Sequence, residues 1–432
     1  MERKFAKQLA AWKSALHRKP LLLKGARQVG KTWLLLNFGK KHYKNVLYFN
    51  FESNKDLHGI FERDLSPGRL LSELSAYTGQ SILERESLII FDEIQACERA
   101  LTSLKYFDEE APAFHIAAAG SLLGVAVKRI NYSFPVGKVD ILSMYPLDFD
   151  EYLMATGNGK LLPMIEECYE NDSPCSLHNK LLDIYKQYVF TGGMPKVVSE
   201  YATSGDLNLV VAEQNNIANS YVADMAKYAD PQETVRIMSA YNSLPAQLAK
   251  ENKKFQYKVI KTGARASNYE SAIDWLEAAG LVIRCEKVTS ARFPLKTQAE
   301  RSFFKLYMHD TGLLCAQMSV PPNAFLSDLP GIDYIKGAIA ENYVATVLKA
   351  NAYNPYYWES RGKAEVDFLI QARSGDIIPV EVKSSENVRS KSLQQFVSRY
   401  KPPLSIRISA KNFGFENRIK SVPFYAATRI RF

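Results

Sequence analysis

The stretch Gly25-Ala26-Arg27-Gln28-Val29-Gly30-Lys31-Thr32 decides the fold, because it is a complete phosphate-binding loop in the context that such a loop requires. An apolar strand, Leu21 to Leu23, precedes it, and the apolar start of a helix, Trp33 to Leu36, follows it. The glycines permit a tight turn whose backbone N–H groups point at phosphates, Lys31 can reach the β- and γ-phosphates, and the Thr32 hydroxyl can bind Mg²⁺. The stretch predicts that all eight residues contact ATP, with Mg²⁺ as the counter-ion.

A second signal follows about sixty residues later, in Leu88-Ile89-Ile90-Phe91-Asp92-Glu93. This apolar run predicts a buried parallel strand that ends in two adjacent carboxylates. At the carboxyl end of the strand, Asp92 would hold Mg²⁺ through water beside Thr32, and Glu93 would polarise the attacking water. The pair predicts ATP hydrolysis in addition to binding.

Strands and helices alternate around these two motifs. Strand-like runs extend from Asn45 to Phe51 and from Phe114 to Ala119, and helical stretches extend from Gly68 to Thr78 and from Leu101 to Asp108. The alternation predicts an α/β fold with a parallel P-loop sheet, helices on both faces and ligands at the carboxyl ends of the strands. Gly120-Ser121 follows the run that ends at Ala119. Ser121 is therefore placed where it could sense the γ-phosphate, although a serine in a turn at the end of a strand needs no such role.

Composition limits the class of protein. The chain has 432 residues, of which 47% are apolar and 23% charged, as is ordinary for a soluble globular protein of two to four domains. No apolar run approaches the length of a membrane span, and the amino terminus has no signal-peptide core, so we expect a cytoplasmic protein that does not contact membranes. The five cysteines are odd in number and lack two-residue spacing, which favours reduced thiols over disulfides or a zinc site.

Positive charge is concentrated near the end of the chain. The net charge is +9, and the residues after Asn387 carry ten bases against the single acid Glu416. These bases are Arg389, Lys391, Arg399, Lys401, Arg407, Lys411, Arg418, Lys420, Arg429 and Arg431. Such a segment can attract the phosphates of DNA, with affinity that falls with salt, or it can be an ordinary solvated face.

A winged helix-turn-helix is predicted between residues 236 and 292. Its helices are Ser243 to Ala249 and Ala266 to Ala279, which ends at Gly280, and a strand begins at Leu281. The second helix carries three acids that suit a major groove poorly, Glu270, Asp274 and Glu277. Several lysines precede this helix and could contact phosphates, namely Lys250, Lys253, Lys254, Lys258 and Lys261. DNA contact and protein docking therefore both remain open for this module.

Carboxylates and a lysine meet in two strands near the carboxyl terminus. Glu365 to Ile370 and Ile377 to Lys383 have the composition of strands, and their alternation lets Asp367, Glu381 and Lys383 converge. Asp367 and Glu381 would bind Mg²⁺, while Lys383 would orient or activate the water that attacks a phosphodiester. Glu341, in the predicted helix from Gly337 to Lys349, could supply another ligand oxygen.

The order of these parts resembles the AAA+ ATPases, and more narrowly a prokaryotic branch with a winged helix and a restriction-endonuclease-like carboxyl-terminal domain. The matching pieces are the loop 25–32, the strand with Asp92-Glu93, Ala119-Gly120-Ser121, and Gly137-Lys138-Val139 leading into residues 145–153. In similar proteins Arg usually follows that glycine. Lys138 stands there in this chain and lacks the planar fork of Arg, so Arg129 is the substitute candidate for a cation at the γ-phosphate. The resemblance implies a ring or another oligomer that completes the site.

The carboxyl-terminal strands look like the core of a PD-(D/E)xK nuclease, in which the positions of Asp367, Glu381, Lys383 and Glu341 carry metal-dependent cleavage. The expected domains are the AAA+ ATPase core (1–155), a helical lid (156–235), the winged helix (236–292), a connecting segment (293–330) and the nuclease-like α/β domain (331–432). Two functions follow from this arrangement. In one, ATP hydrolysis controls a nuclease that acts on DNA; in the other, nucleotide state switches partner binding and no phosphodiester is cut.

Overall fold

The computed structural model describes residues 2–121, 134–250, 253–327, 331–360, 364–384 and 391–432. The chain divides into a P-loop unit, residues 2–145 with 278–280, and a C-terminal unit, residues 146–277 with 281–432. Within the described ranges, no helix combines the length and the apolar character that crossing a bilayer requires.

The P-loop unit is built on a five-stranded sheet. Its strands are β1 (Leu21–Lys24), β2 (Asn45–Asn50), β3 (Ser87–Asp92), β4 (His115–Gly120) and β5 (Asp140–Ser143), in the order β2-β3-β4-β1-β5. All neighbouring strands are parallel. The predicted parallel P-loop sheet is therefore confirmed. Strands β1, β4 and β3 are adjacent and parallel, so their carboxyl ends lie side by side. The phosphate-binding loop, Ser121 and the Asp92-Glu93 pair follow these three ends.

Helices connect strands of this sheet, and aromatic residues pack in a core against it. The helices are α1 (Ala6–Ser14), α2 (Lys31–His42), α3 (Asp56–Glu62), α4 (Pro67–Thr78) and α5 (Glu98–Glu110). Every residue of β3 is buried, as a continuous apolar run predicts. The ring of Phe91 packs edge-on against Phe51, with centroids 5.5 Å apart, and against Phe61, at 5.8 Å. Burial of each ring stabilises the fold by roughly 2–3 kcal/mol.

The C-terminal unit begins with helices. They are α6 (Phe149–Ala155), α7 (Leu162–Glu170), α8 (His178–Thr191), α9 (Pro195–Ser204), α10 (Leu207–Tyr228), α11 (Pro231–Asn242), α12 (Leu244–Leu248), α13 (Tyr257–Ile260) and α14 (Ala266–Ala278). A capping box starts α6, because the Asp148 side chain accepts from the Glu151 N–H at 2.9 Å and the Glu151 side chain accepts from the Asp148 N–H at 3.1 Å.

An eight-stranded mixed sheet forms the rest of this unit. Its strands are β6 (Val282–Val288), β7 (Ala299–Met308), β8 (Tyr356–Glu359), β9 (Glu365–Gln371), β10 (Ile377–Lys383), β11 (Ser405–Ser409), β12 (Gly414–Glu416) and β13 (Ile419–Pro423), in the order β12-β13-β11-β10-β9-β8-β6-β7. The remaining helices are α15 (Thr311–Gln317), α16 (Pro322–Leu326), α17 (Asp333–Ala350) and α18 (Lys391–Tyr400).

The hairpin of β6 and β7 joins two regions that the sequence separates. Strand β6 pairs with β7 in antiparallel fashion and with β8 in parallel fashion, so the hairpin extends the sheet that contains β9 and β10. The predicted boundary at residue 292 falls inside this hairpin. The winged helix and the separate nuclease-like domain stay predictions.

The break between α8 and α9 is a tight backbone junction. Gly192 has φ +77°, and a Cβ on Gly193 would lie 2.1 Å from the Leu147 carbonyl oxygen. The buried Asp310 carboxylate accepts from the Gly193 N–H at 2.6 Å and from the Leu313 N–H at 2.9 Å. Burial raises the pKa of Asp310 to about 6, against the effect of these N–H donors. The junction therefore has no room for a side chain.

We expect Gly193→Ala to lower the free energy of unfolding of the C-terminal unit by about 1–3 kcal/mol or more, because the added methyl group meets backbone that cannot rotate away. Gly337→Ala is the matched control, since Gly337 lies inside α17 with open space around its Cα and ordinary helical φ. That control should be neutral or stabilise the helix by about 0.5–1 kcal/mol. Thermal unfolding followed by circular dichroism measures both changes, and equal midpoints for the two variants would contradict this account.

Candidate nucleotide site and C-terminal carboxylate cluster

The phosphate-binding loop adopts backbone conformations that favour glycine. Gly25 has φ +153° and Gly30, which precedes α2, has φ +92°. A Cβ on Gly25 would lie 2.3 Å from the Met144 carbonyl oxygen. Gln28 also has a positive φ, of 65°. Gly30 is therefore favoured by its backbone conformation. Gly25 is favoured by its conformation and also because the chain after β5 passes too close to leave room for a side chain.

Lys31 is buried inside this loop. Its Nζ donates to the carbonyl oxygens of Gly25 and Ala26, each at 2.8 Å. Burial lowers the pKa of Lys31 to about 8, and the carboxylates of Glu93 and Asp92 oppose that shift. A triphosphate in the loop would supply further negative charge to this amine and favour its protonated form.

Asp92 collects two hydroxyl groups at the end of β3. Its Oδ2 accepts from the Thr32 hydroxyl at 2.8 Å and from the Tyr48 hydroxyl at 2.8 Å. Burial raises the pKa of Tyr48 to about 12, so this phenol remains a donor. Thr32 and Asp92 are hard oxygen ligands of the kind that Mg²⁺ uses together with substrate phosphates, and they fit such an ion. Tyr48 was not found from the sequence.

Glu93 stands beside Asp92 in a constrained position. Its φ of 48° is in the left-handed region, which non-glycine residues seldom adopt and which recurs at functional sites. Its Oε2 accepts from Gln95 Nε2 at 2.5 Å and from the Ser121 hydroxyl at 3.4 Å. The structure thus brings Ser121 to Glu93, from the end of the strand that separates β1 from β3. Gln95 is a further residue that sequence reasoning missed.

Arg3 supports the loop from outside the motif. Its guanidinium donates to the Val29 carbonyl oxygen at 2.9 Å and to the Tyr145 carbonyl oxygen at 2.7 Å, and the side chain is buried. It ties the loop to the segment that follows β5. A basic residue near the amino terminus gives no sequence signal for this role.

Lys138 lies at the amino-terminal ends of β1 and β5, whereas the loop lies at the carboxyl-terminal end of β1. It precedes β5, whose first residue pairs with the first residue of β1, whereas the loop follows the end of β1. Its Nζ is 3.1 Å from Glu109 Oε1 and 3.5 Å from Asp108 Oδ2. Lys138 of this chain is therefore not positioned at its own phosphate-binding loop. Arg129 lies outside the described residues.

The C-terminal unit brings the predicted carboxylates of β9 and β10 together. Val380 pairs with Phe368 in the antiparallel register, so the next pair places Glu381 opposite Asp367. Asp367 Oδ2 accepts from the Val382 N–H at 2.8 Å, and Lys383 Nζ is 2.7 Å from Glu381 Oε1. Burial and the neighbouring Glu381 raise the pKa of Asp367 to about 8.

Glu341 of α17 is held by cations of the protein. Its carboxylate forms ion pairs with Lys253 and with Lys305, whose Nζ is 3.0 Å from Oε1, and it accepts from the Tyr307 hydroxyl. Burial alone would raise the pKa of Glu341, but Lys253 and Lys305 lower it to about 2. In the ranges that the structure describes, no three His, Cys, Asp or Glu side chains converge so that they could hold a metal ion.

The basic segment after residue 387 is partly neutralised within the fold. Arg429 is buried and pairs with Asp150 and Glu166, and Lys420 Nζ is 2.9 Å from Asp172 Oδ1. Arg389 lies outside the described residues. The count of bases therefore overstates the charge that this segment presents to a partner.

The second helix of the predicted winged helix-turn-helix also forms ion pairs within the C-terminal unit. On α14, Asp274 Oδ1 is 2.6 Å from an Arg284 Nη and Glu277 Oε2 is 3.4 Å from Arg284 Nε. Of the lysines expected at phosphates, Lys253 pairs with Glu341 and Lys254 pairs with Glu359. These groups serve ion pairs inside the protein.

Three family descriptions match successive parts of the chain. Residues 17–153 match an AAA domain, residues 182–324 match a domain of unknown function (DUF8612), and residues 336–426 match another (DUF4143). The first match covers the sheet with its phosphate-binding loop and acidic pair. The P-loop unit therefore holds an ATPase-like domain of the AAA type, for which nucleotide binding is the expected activity.

Individual relatives are distant. An uncharacterized protein of Methanocaldococcus jannaschii is 24% identical over 395 residues, which cover 85% of this chain and 77% of that protein. The Walker-type ATPase of Pyrococcus abyssi is 14% identical with a TM-score of 0.47, covering 73% of this chain and 95% of that chain. The Aeropyrum pernix ORC2 protein is 11% identical with a TM-score of 0.34, covering 76% and 95%.

Replacement of Lys31 by alanine should weaken binding of Mg-ATP by about 10- to 100-fold, because charge-assisted bonds to phosphate are worth roughly 1.5–3 kcal/mol. Lys41→Ala is the matched control, since Lys41 is an exposed lysine of the same helix, α2. Isothermal titration calorimetry measures both affinities. Equal affinity of Lys31→Ala and wild type would remove Lys31 from the nucleotide site.

Proposed function

We propose that this protein binds Mg-ATP in the P-loop unit and hydrolyses it. The observation that carries the proposal is the position of Asp92, which directly precedes Glu93. Its carboxylate accepts hydrogen bonds from Thr32, the last residue of the loop, and from Tyr48. A magnesium ion between Thr32 and the phosphates would be neutralised by Asp92 through water. This position supports the roles proposed for Asp92 at the metal and for Glu93 at the attacking water.

Each residue has a separate role in this proposal. The loop residues 25–32 enclose the phosphates, and Lys31 provides positive charge at the β- and γ-phosphates. Glu93 accepts the proton of the attacking water, and Gln95 and Ser121 orient its carboxylate through their hydrogen bonds. Mg²⁺ supplies Lewis-acid stabilisation of the charge that develops on the phosphate oxygens.

Glu93→Gln should bind Mg-ATP with nearly unchanged affinity and hydrolyse it about 10²- to 10⁴-fold more slowly, because only the acceptance of the water proton is lost. Phosphate release under single-turnover conditions measures the rate, and calorimetry measures the affinity. Gln95→Ala serves as a comparison, with a smaller loss of rate, since it removes the donor that orients Glu93 and leaves the carboxylate. An unchanged rate in Glu93→Gln would sink the assignment.

We further propose that DNA binds along the β6–β7 hairpin. The hairpin exposes two aromatic rings, Phe293 in the connection between the strands and Phe303 on β7, together with Arg292, Lys296 and Arg301. Lys287 Nζ lies 5.0 Å from the Phe303 ring centroid. Exposed rings near cations favour unpaired bases, which stack on the rings while cations contact phosphates. Lys287 and Arg301 already pair with Glu300 and Glu286, so Arg292 and Lys296 are the cations proposed to contact the phosphates.

The connection between β6 and β7 is anchored, so it presents Phe293 on a defined surface, while Phe303 is held by strand β7. Leu295 is fully buried in a cluster with Val288, Trp358 and Phe396. The Leu295 N–H donates to the Gln371 side chain at 3.0 Å. A fixed platform loses little conformational entropy when a strand of DNA binds.

Phe303→Ala should weaken binding of a single-stranded oligonucleotide by about 1–3 kcal/mol, or roughly 5- to 150-fold. Phe415→Ala is the matched control, because Phe415 is equally exposed but belongs to β12. Fluorescence anisotropy at several salt concentrations measures both, and wild-type affinity should fall as salt rises. Wild-type protein that ignores the oligonucleotide at low salt would contradict the proposal.

For the C-terminal carboxylates we favour the function without cleavage, in which ATP state controls binding of a partner. The nuclease alternative needs Asp367, Glu381 and Glu341 as metal ligands and Lys383 beside the attacking water. Glu341 already has two ammonium groups and a phenol as partners. A switch in partner binding requires no metal at this cluster.

A further inference from the structure

Lys305 is a buried cation at the centre of the C-terminal cluster. It lies on β7 and is 1% exposed, with its Nζ 3.0 Å from Glu341 Oε1 and 2.5 Å from Glu365 Oε1. Tyr307, two residues later on the same face of the strand, donates to the same oxygen of Glu341. The strand thus presents one ammonium group and one hydroxyl group to the carboxylate of α17.

Three ammonium groups face the carboxylates of this cluster. Lys305 contacts Glu341 and Glu365, Lys253 contacts Glu341, and Lys383 contacts Glu381. With Asp367, the cluster has four carboxylates against three ammonium groups, so at most one negative charge is left unbalanced. A divalent ion such as Mg²⁺ binds through carboxylate oxygens, and here three of the four carboxylates already contact ammonium groups.

A divalent ion at Glu341 would either displace Lys305 or bind beside it. The displaced ammonium group is surrounded by protein, and a buried charge that loses its partner costs about 3–5 kcal/mol. An ion that left Lys305 in place would lie next to a positive charge, which repels it in this desolvated setting. The donor set therefore does not fit the metal that the nuclease-like pattern implies.

We infer that Lys305, together with Lys253, is the resident counter-cation of this cluster and takes the place of the divalent metal ion. The residues of the nuclease-like pattern then have a structural role. Through their ion pairs with Lys305, Glu341 and Glu365 tie helix α17 and strand β9 to strand β7. This inference is independent of ATP binding, which uses residues of the other unit.

Electron paramagnetic resonance of Mn²⁺ added to the nucleotide-free, full-length protein tests this inference. Because we expect no Mn²⁺ site at the cluster of the wild-type protein, Glu381→Gln alone should leave Mn²⁺ binding unchanged. Lys305→Met should gain such a site, with affinity at least about tenfold above wild type, because the carboxylates lose their internal cation. The gained site should disappear when Glu381→Gln is added to Lys305→Met.

Stability provides a second readout. Lys305→Met should unfold at a lower temperature than wild type, and Mn²⁺ should raise that temperature in this variant and not in wild type. The double variant Lys305→Met/Glu341→Gln removes Lys305 and one of its two carboxylate partners, so it should recover part of the stability without Mn²⁺. If Lys305→Met alone does not fold, a folded double variant would still support the inference that Lys305 balances the charge of Glu341.

Two results would overturn the inference. One is a Mn²⁺ site in wild-type protein that Glu381→Gln abolishes, since the native cluster would then accept a divalent ion beside Lys305. The other is a double variant that is no more stable than Lys305→Met in the absence of metal, since the ion pair would then not be what holds the cluster.

Discussion

The hydrogen bond between Thr32 and Asp92 is the constraint on which the nucleotide site depends. It joins the first turn of α2 to the end of β3, although β4 separates β3 from the strand that leads into the loop. Tyr48 reaches the same carboxylate oxygen from β2. These two hydrogen bonds fix α2, β2 and the end of β3 relative to one another without a ligand. Glu93 directly follows β3, so the same contacts also fix its position.

Much of the P-loop unit was predictable because its signals are local. A loop of eight consecutive residues and a buried strand ending in two acids each carry their chemistry within one segment, so the parallel sheet follows from them. The residues that escaped prediction act from a distance in sequence. Arg3 reaches the loop through backbone carbonyl oxygens, and Tyr48 reaches Asp92 from another strand, so neither belongs to a motif.

Prediction was weaker in the C-terminal unit, where pairing between distant segments decides the chemistry. The alternation in β9 and β10 indicated that Asp367 and Glu381 share a face, and the register agrees with that geometry. The partner of Glu341 could not be foreseen, because Lys305 belongs to a hairpin that the sequence assigns to other domains. A count of charges likewise could not reveal that Arg429 is buried against acids of the helical region.

That last ion pair has a consequence for biosynthesis. Asp150 and Arg429 are 279 residues apart in the chain, and Thr428 adds a hydrogen bond of 3.1 Å to Asp150. At about 5–20 residues per second, translation separates the two by tens of seconds. During that interval α6 carries a carboxylate whose buried counter-charge has not been made. Helix α6 therefore gains this ion pair and hydrogen bond only after residue 429 has been synthesised.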